Sequence, residues 1–398
     1  MNHFVIVGAG PAGLSMALQL SQQGQRVTLL EASRTFSRQF RGDALMPCGL
    51  EALEMMGLRE LLETLPQRQL SDWSVWMEGR ELFEVAEPMG SCQPCRLVAQ
   101  GPLLEALLVE AVKQPTLQWR SGCTVTGLVK NNKRITGVRL SNGETIEAEF
   151  VVGCDGRSST VRRLAGLPVK PRGSTLDLLW FELPGREGEP LPQGFHTLLA
   201  GGAIGSVCLG AKGDLLMALL VKPGTPTPQH SAAEWAKTLA TMQPAAFAEH
   251  ICKHSAELKG PLRVSVQAGI APQWHKPGVL LLGDAAHPMS PVRAQGINMA
   301  LRDSVVAAGV LTQQRSAAEL DAVAANVQHR RQAELEAVQK LQEHEMRLGQ
   351  LLGHQAMLRH LVINAAGLCA PIAKSIWTKR QRLMRDGLPK ALLEKNQG

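Results

Sequence analysis

Phe4-Val-Ile-Val7-Gly8-Ala-Gly10-Pro-Ala-Gly13-Leu14-Ser-Met-Ala-Leu-Gln-Leu-Ser-Gln-Gln23, followed two residues later by Arg26-Val-Thr-Leu-Leu-Glu31, is the stretch on which the fold turns. Four consecutive apolar residues from Phe4 fit a strand buried on both faces, which shows no alternation. Gly8 to Gly13 is a turn, Leu14 to Gln23 carries apolar residues at helical spacing, and Arg26 to Glu31 is a second strand. Together they make a complete βαβ unit. The glycines fit GxGxxG: Gly8 permits the tight turn, Gly10 lets backbone approach a pyrophosphate, and Gly13 lets the helix pack on the strand, with Ala12 in the same turn. The helix start offers N–H groups and the positive end of a dipole to a phosphate. Glu31 closes the second strand, where a carboxylate accepts from both ribose hydroxyls and repels a 2′-phosphate.

Working outward, 398 residues of which 44% are hydrophobic can bury more than one core, so two domains and an appendage are expected. Arg41 to Leu65 reads as a loop and then a helix with Pro47 near its start. Ser71 to Met77 and Glu81 to Val85 are strand-like, and Pro102 to Lys113 is helical. A meander follows at Cys123 to Val129, Arg134 to Leu140, the turn Ser141-Asn-Gly143, and Thr145 to Cys154. Thr175 to Glu182, Gly205 to Leu209 and Asp214 to Val221 predict an antiparallel sheet, with one helix from Ala232 to His254. Val279 to Leu282 is a fully apolar strand, and Asn298 to Gln313 and Ala318 to His360 are helical. The expected fold class is α/β. A Rossmann-like nucleotide-binding domain (1–70, 96–173 and 276–330) interleaves with a smaller antiparallel-sheet substrate domain (71–95 and 174–275), and a C-terminal helical segment (331–398) follows.

The net charge of +7 is unevenly placed, since residues 374–398 hold seven basic and two acidic side chains and leave only +2 for the rest. A near-neutral body argues against nucleic acid as a partner. Eight cysteines are scattered through a long chain; Cys92-Gln-Pro-Cys95 is a lone CxxC where a zinc ribbon needs two, so no metal is assigned. A reduced, cytoplasmic protein is expected, and His3 to Val7 leads straight into the turn rather than reading as a signal peptide. Leu361 to Ala373 is almost wholly apolar but, at 13 residues with Asn364 and Pro371, too short to cross a bilayer. Lys374, Lys379, Arg380, Arg382 and Arg385 follow, around Trp377. Residues 361–385 are therefore a candidate peripheral contact with an anionic membrane. The plainer alternative is that the run packs on the body and the cations are solvated.

Two further strand-to-loop steps are Val151-Val-Gly-Cys-Asp155-Gly-Arg-Ser158-Ser-Thr-Val-Arg162 and Gly283-Asp284-Ala-Ala-His287-Pro-Met-Ser-Pro291-Val-Arg293-Ala-Gln-Gly296-Ile297-Asn298. Each carries an aspartate to the carboxyl edge of a sheet, where ligands bind in open α/β folds. With the first motif, and in this order, they resemble the three signatures of the para-hydroxybenzoate hydroxylase family of FAD-dependent monooxygenases, over nearly residues 1 to 330. The resemblance makes the first domain an FAD-binding domain, with Gly8, Gly10, Ala12, Gly13 and Glu31 around the cofactor. It implies that Asp284 holds the ribityl and pyrophosphate region. It also implies that Gly296, Ile297 and Asn298 present helix-start N–H groups to the flavin pyrimidine, where the dipole favours the anionic reduced flavin. Arg41 resembles the arginine of the family's arginine-glycine loop, and Gln100 stands where the family has a polar side chain against FAD. Asp155 and Arg162 match residues linked to FAD and nicotinamide handling, with helix capping and sheet-edge ion pairing as the structural alternative. Pro291 falls in the loop expected beside flavin C4a, and Pro291, Arg293 and Asp155 are the candidate catalytic residues. Ala294 replaces the family's usual glycine, His287 is read as capping a turn, and the chain has no tyrosine to activate a phenol.

No second GxGxxG occurs, so NADPH or NADH is expected to reduce FAD as a transient donor without a domain of its own. By the resemblance, O₂ adds at C4a, and the hydroperoxide transfers an oxygen atom to an aromatic, polyketide-like or quinone-precursor small molecule. The protein must exclude water and place the substrate. Trp180, Phe181, Phe195 and Leu216 are candidate pocket residues. Two rivals stand beside this reading: a flavin reductase or dehydrogenase of the geranylgeranyl reductase type, and a noncatalytic escort protein that keeps the fold.

Overall fold

In the computed structural model, which describes residues 1–36, 44–91, 93–173, 175–314 and 316–388, the N-terminal apolar run is a central strand. β1 (His3–Val7) is buried along its whole length and leads through α1 (Pro11–Gln22) to β2 (Arg26–Glu31), parallel to it with Val5 opposite Thr28. The single helix expected before Leu65 is two, α2 (Pro47–Met55) and a short one at Arg59–Glu63, with a turn at Gly57 between them. β3 (Asp72–Met77) and β4 (Arg80–Ala86) form a hairpin, and β5 (Leu117–Ser121) follows the helix Gln100–Val112.

The strand expected from Thr145 to Cys154 also divides. Its polar half, Thr145–Glu147, pairs with Arg134–Leu140 in a surface meander, whereas its apolar half, β6 (Phe150–Gly153), is buried on both faces and lies parallel to β1. β7 (Leu176–Leu183), β8 (Phe195–Ala200), β9 (Ala203–Leu209) and β10 (Leu215–Val221) come next. The helix expected from Ala232 to His254 is interrupted where Pro244 caps a new start, giving α3 (Ala232–Ala240) and α4 (Ala245–Lys253). β11 (Lys259–Val266) was not anticipated, because its polar residues and Pro261 hide the pattern; it is an edge strand, where proline is tolerated. β12 (His275–Lys276), β13 (Val279–Leu281), α5 (Gln295–Leu311), α6 (Ala317–His354) and α7 (Ala356–Asp386) complete the order.

The six-stranded sheet runs β12-β13-β6-β1-β2-β5. β13, β6 and β1 are adjacent and parallel, with Leu281 level with Gly153 and Gly153 level with Val7. The three motifs, each at the carboxyl end of one of these strands, therefore stand side by side. The seven-stranded sheet, β11-β7-β10-β9-β8-β3-β4, collects strands from 71–95 and 174–275. It is mixed rather than wholly antiparallel as expected, because β8 lies parallel to β3, with Phe195 level with Trp73, where the two distant segments of chain meet. Strand alternation gives it two faces. On one, Leu179, Phe181, Leu183, Val207 and Met217 pack against Trp235 and Leu239 of α3 and Ile251 of α4. Each such side chain contributes about 1.5–3 kcal/mol by leaving water. On the other, Leu178, Trp180, Phe195, Thr197 and Leu216 face the interior of the molecule, toward the motifs.

Candidate active site

One cavity of about 1030 Å³ connects the three motif turns to the inner face of the seven-stranded sheet. Gly8, Gly10, Ala12, Glu31, Gln100, Asp155, Asp284, Pro291, Arg293, Gly296 and Ile297 all line it. Tertiary structure thus gathers residues that are up to 289 positions apart, from Gly8 to Ile297. Arg41 lies outside the described residues, as does Cys92. The partner thiol of the lone CxxC, Cys95, is fully buried, and burial pushes it well above its ordinary pKa, which suits an inert core cysteine.

The glycines of the first motif do different work. A Cβ on Gly8, which has φ +100°, would lie 2.5 Å from the Cys154 carbonyl oxygen, and one on Gly13 would lie 1.8 Å from the Gly8 oxygen. Both close approaches are protein against protein. A Cβ on Gly10 would meet nothing within 4 Å, and Gly10 faces the cavity at the N-terminus of α1, which has no side-chain cap. This is open space before unpaired helix N–H groups, the shape and polarity a pyrophosphate requires. Glu31 is held at the cavity wall by two backbone donors, Ala9 N at 2.8 Å and Ser33 N at 2.9 Å.

At the second motif the capping alternative accounts for the contacts. Asp155 accepts from the Ser159 hydroxyl and from Val161 N (3.0 Å), and Ser159 in turn accepts from Arg162 N at 3.0 Å, so both cap the helix Thr160–Ala165. The Arg162 guanidinium donates to the carbonyl oxygens of Ala285 (2.9 Å) and Arg157 (2.5 Å) and so ties the second motif to the third. Asp284 pairs with Arg157 at 3.0 Å on the cavity wall.

The third motif continues into two consecutive left-handed residues, Arg293 (φ 58°) and Ala294 (φ 49°), before α5 begins. Alanine at the family's glycine position thus keeps the turn at a strain of about 1 kcal/mol. Gly296 and Ile297 line the cavity, but the Asn298 side chain does not. It is fully buried, accepts from Met46 N at 2.9 Å, and donates to Ala44 O (3.1 Å) and Ala294 O (2.9 Å), clamping the start of α2 to that of α5. Gly49 makes room for it, since a Cβ there would sit 2.0 Å from Asn298 Oδ1. No pattern in the sequence marks Gly49, because its constraint comes from a residue 249 positions away.

Arg293 projects away from the motif turns toward the seven-stranded sheet. Its guanidinium lies 5.0 Å from the rings of Trp73 and Trp377 and 5.8 Å from that of Phe195, and its Nε donates to Glu345 of α6 at 3.0 Å. It is a wall residue held in an aromatic box. Trp180, Phe195 and Leu216 line the cavity as expected; Phe181 does not, because it follows Trp180 on a strand and must point to the opposite face.

His287 does not act as a turn cap through its ring. The imidazole and Asp303 are both fully buried and lie 2.6 Å apart, behind the third motif and off the cavity wall. Asp303 also accepts from Gly283 N (3.0 Å) and Arg331 Nε (2.8 Å), and the network extends through Glu334 to Arg302 and Glu51. These positioning residues were not selected from the sequence, although Arg302-Asp303 inside an otherwise apolar helical run was the available signal.

Comparison with known proteins agrees with this geometry. A family model described as an FAD binding domain matches residues 2–340. The chain is 32% identical over 356 residues to 6-methylpretetramide 4-monooxygenase of Streptomyces rimosus, covering 86% of this chain and 83% of that protein. It is 28% identical over 311 residues to squalene epoxidase 3 of Arabidopsis thaliana, covering 76% of this chain and 58% of that one. Among solved structures, the fold is similar to 2-methyl-3-hydroxypyridine-5-carboxylic acid oxygenase, with a TM-score of 0.75 at 21% identity, covering 92% of this chain and 96% of the other.

Proposed function

The chain belongs to the para-hydroxybenzoate hydroxylase-like family of FAD-dependent monooxygenases, and from that premise we propose that it uses NAD(P)H and O₂ to hydroxylate a large, mainly apolar aromatic substrate of the polyketide or quinone-precursor class. The observation that carries the substrate class is the far half of the cavity. Its sheet wall is mainly aliphatic and aromatic, with Trp73, Trp180 and Phe195 as flat surfaces, only Thr197, Ser206 and Cys208 as small polar residues along β8 and β9, and Arg263 of the edge strand β11 ion-paired with Asp177. The first-named relative acts, by its name, on 6-methylpretetramide, which accords with a roomy pocket. FAD, when bound, supplies hydride acceptance and the activation of O₂.

The residues of the chain bind, orient and exclude water. Gly10 and the start of α1 hold the phosphates, Glu31 the ribose, and Gly296 and Ile297 the flavin edge. Arg293 and Glu345 form the polar pair at the substrate end. No histidine or tyrosine lines the cavity among the described residues, so the substrate brings its own electron-rich carbon rather than relying on either side chain as a base. Screening aromatic polyketides and quinone precursors for stimulated NAD(P)H oxidation, with product mass measured, tests the reading: the product gains one oxygen atom. Reduction of a substrate alkene without oxygen incorporation would establish the reductase alternative, and a protein that stays colourless with added FAD would establish the escort one.

We extend the proposal to substrate loading from an anionic membrane surface. α7 packs on the body through Trp377, Met384 and Arg385, the last buried and ion-paired with Glu87, so Arg385 leaves the group of tail cations. Its Leu361, Ile372 and Ile376 are exposed, as are Lys374, Lys379, Arg380 and Arg382. Leu348 and Leu351, also exposed, flank Gly349, which lines the cavity. No single helix among the described residues is long and apolar enough to cross a membrane. Wild type is expected to cosediment with anionic liposomes at low salt, and the triple variant Lys379→Gln, Arg380→Gln, Arg382→Gln to bind several-fold less. Absence of wild-type binding at low salt rejects the contact.

A further inference from the structure

On the face of the seven-stranded sheet turned away from the cavity, Glu189, in the segment between β7 and β8, meets His250 of α4 and His254, the residue that caps the end of that helix. The histidines are four residues apart and so share one side of the helix. Nε2 of His254 lies 3.1 and 3.2 Å from the two Glu189 oxygens, and Nδ1 of His250 contacts the same carboxylate. All the ligand-capable atoms fall within 4.8 Å of one another.

The second nitrogen of each ring also has an oxygen before it. His250 Nε2 is 3.2 Å from the Pro184 carbonyl, and His254 Nδ1 is 3.8 Å from Glu257. An Nε2–H donated to Pro184 leaves the Nδ1 lone pair of His250 aimed at a carboxylate, which is repulsive unless a cation, either a proton or a metal ion, lies between them. An outer oxygen that fixes the tautomer and aims the inner nitrogen, as the Pro184 carbonyl does for His250, is a usual surrounding of a metal-binding imidazole, whereas Glu257 lies beyond hydrogen-bond reach of His254.

The geometry points to a divalent transition-metal site, of the kind that takes Zn²⁺, held by Glu189, His250 Nδ1 and His254 Nε2. Two imidazoles and a carboxylate suit Zn²⁺ or Co²⁺ and are the wrong donors for Ca²⁺ or Mg²⁺, which call for oxygen throughout. Lys253, whose side chain is mostly exposed, contacts Glu189 Oε1 at 2.5 Å and is the cation that the metal displaces to solvent. The site lies apart from the redox centre. It staples the β7–β8 segment to α4, the helix whose Ile251 packs on the back of the sheet that forms the substrate wall. Its role is to stiffen that wall.

Chelator-treated holoprotein is titrated with Co²⁺. The expected result is saturation at one ion per chain, with ligand-field bands of a nitrogen–oxygen site, displacement by Zn²⁺, and a melting temperature that rises with Zn²⁺ but not with Mg²⁺. His250 is too buried for a safe substitution, so Glu189→Gln and His254→Ala are used, and each should weaken binding at least about tenfold with flavin content unchanged. No saturable binding, wild-type affinity retained in both variants, or thiolate-to-cobalt charge-transfer bands that place the ion on cysteines would overturn the assignment.

Discussion

Asp303→Ala is expected to lower the free energy of unfolding by about 3–5 kcal/mol, the range for breaking a buried ion pair by deleting one partner. Asp303, His287 and Arg331 have no exposed side-chain surface. Truncation strips Arg331 Nε and His287 Nε2 of their acceptor and also frees the Gly283 N–H. Burial alone would raise the Asp303 carboxyl, but the charges of His287 and Arg331 and their hydrogen bonds outweigh it and hold the carboxyl below its ordinary value. Stability from this group is therefore complete above the unfolded carboxylate pKa and is lost as pH falls through the lower folded value. Urea unfolding of wild type and variant at neutral pH and at about pH 3 checks both statements: the gap between them is wide at neutrality and narrows in acid. A neutral-pH gap under about 1 kcal/mol would mean that the network carries little of the fold's stability. Because Gly283 precedes Asp284 on the cavity wall, the variant should also retain FAD less well.

Gly10→Val is expected to abolish FAD retention while the apoprotein melts within a few degrees of wild-type apoprotein. The backbone at Gly10 has φ −79° and ψ −173°, open to any L-residue, and its side-chain space is free of protein atoms. Only a ligand is displaced, so the loss falls on binding, by two orders of magnitude or more, about 3 kcal/mol. Gly8→Val and Gly13→Ala make the contrast, because both drive a Cβ into backbone and should impair folding itself. Flavin absorbance after gel filtration and a thermal melt of each apoprotein separate the two outcomes. A yellow Gly10→Val protein would remove the turn from the cofactor site.

How far the site was legible depended on whether its cause was local. GxGxxG between an apolar strand and a helix carries its own geometry, and so does an aspartate at the carboxyl end of an apolar run. Arg293 was visible as a bulky residue in the third motif, but not its direction, because the aromatic box comes from Trp73, Phe195 and Trp377 in three other parts of the chain. Trp180 and Phe181 looked alike in sequence and were separated only by which face of a paired strand each occupies. Glu189 and the two histidines showed nothing, since the i, i+4 pair becomes a possible chelate only once a distant loop supplies the carboxylate.

By itself the sequence determined the βαβ unit and the α/β class with a second sheet, because these depend on periodicity and turn chemistry within a few residues, while FAD followed from the resemblance of the three motifs, in their order, to a known family. Tertiary structure alone decided that β13, β6 and β1 lie adjacent with level ends, that Asp155 caps a helix, that Asn298 and Gly49 lock α5 to α2, and that Asp303 holds the Gly283 turn. Each of those rests on contacts between residues brought together by sheet order and burial, where an unpaired polar group or a clash of a few tenths of an ångström is costly, and such constraints leave no periodic trace along the chain.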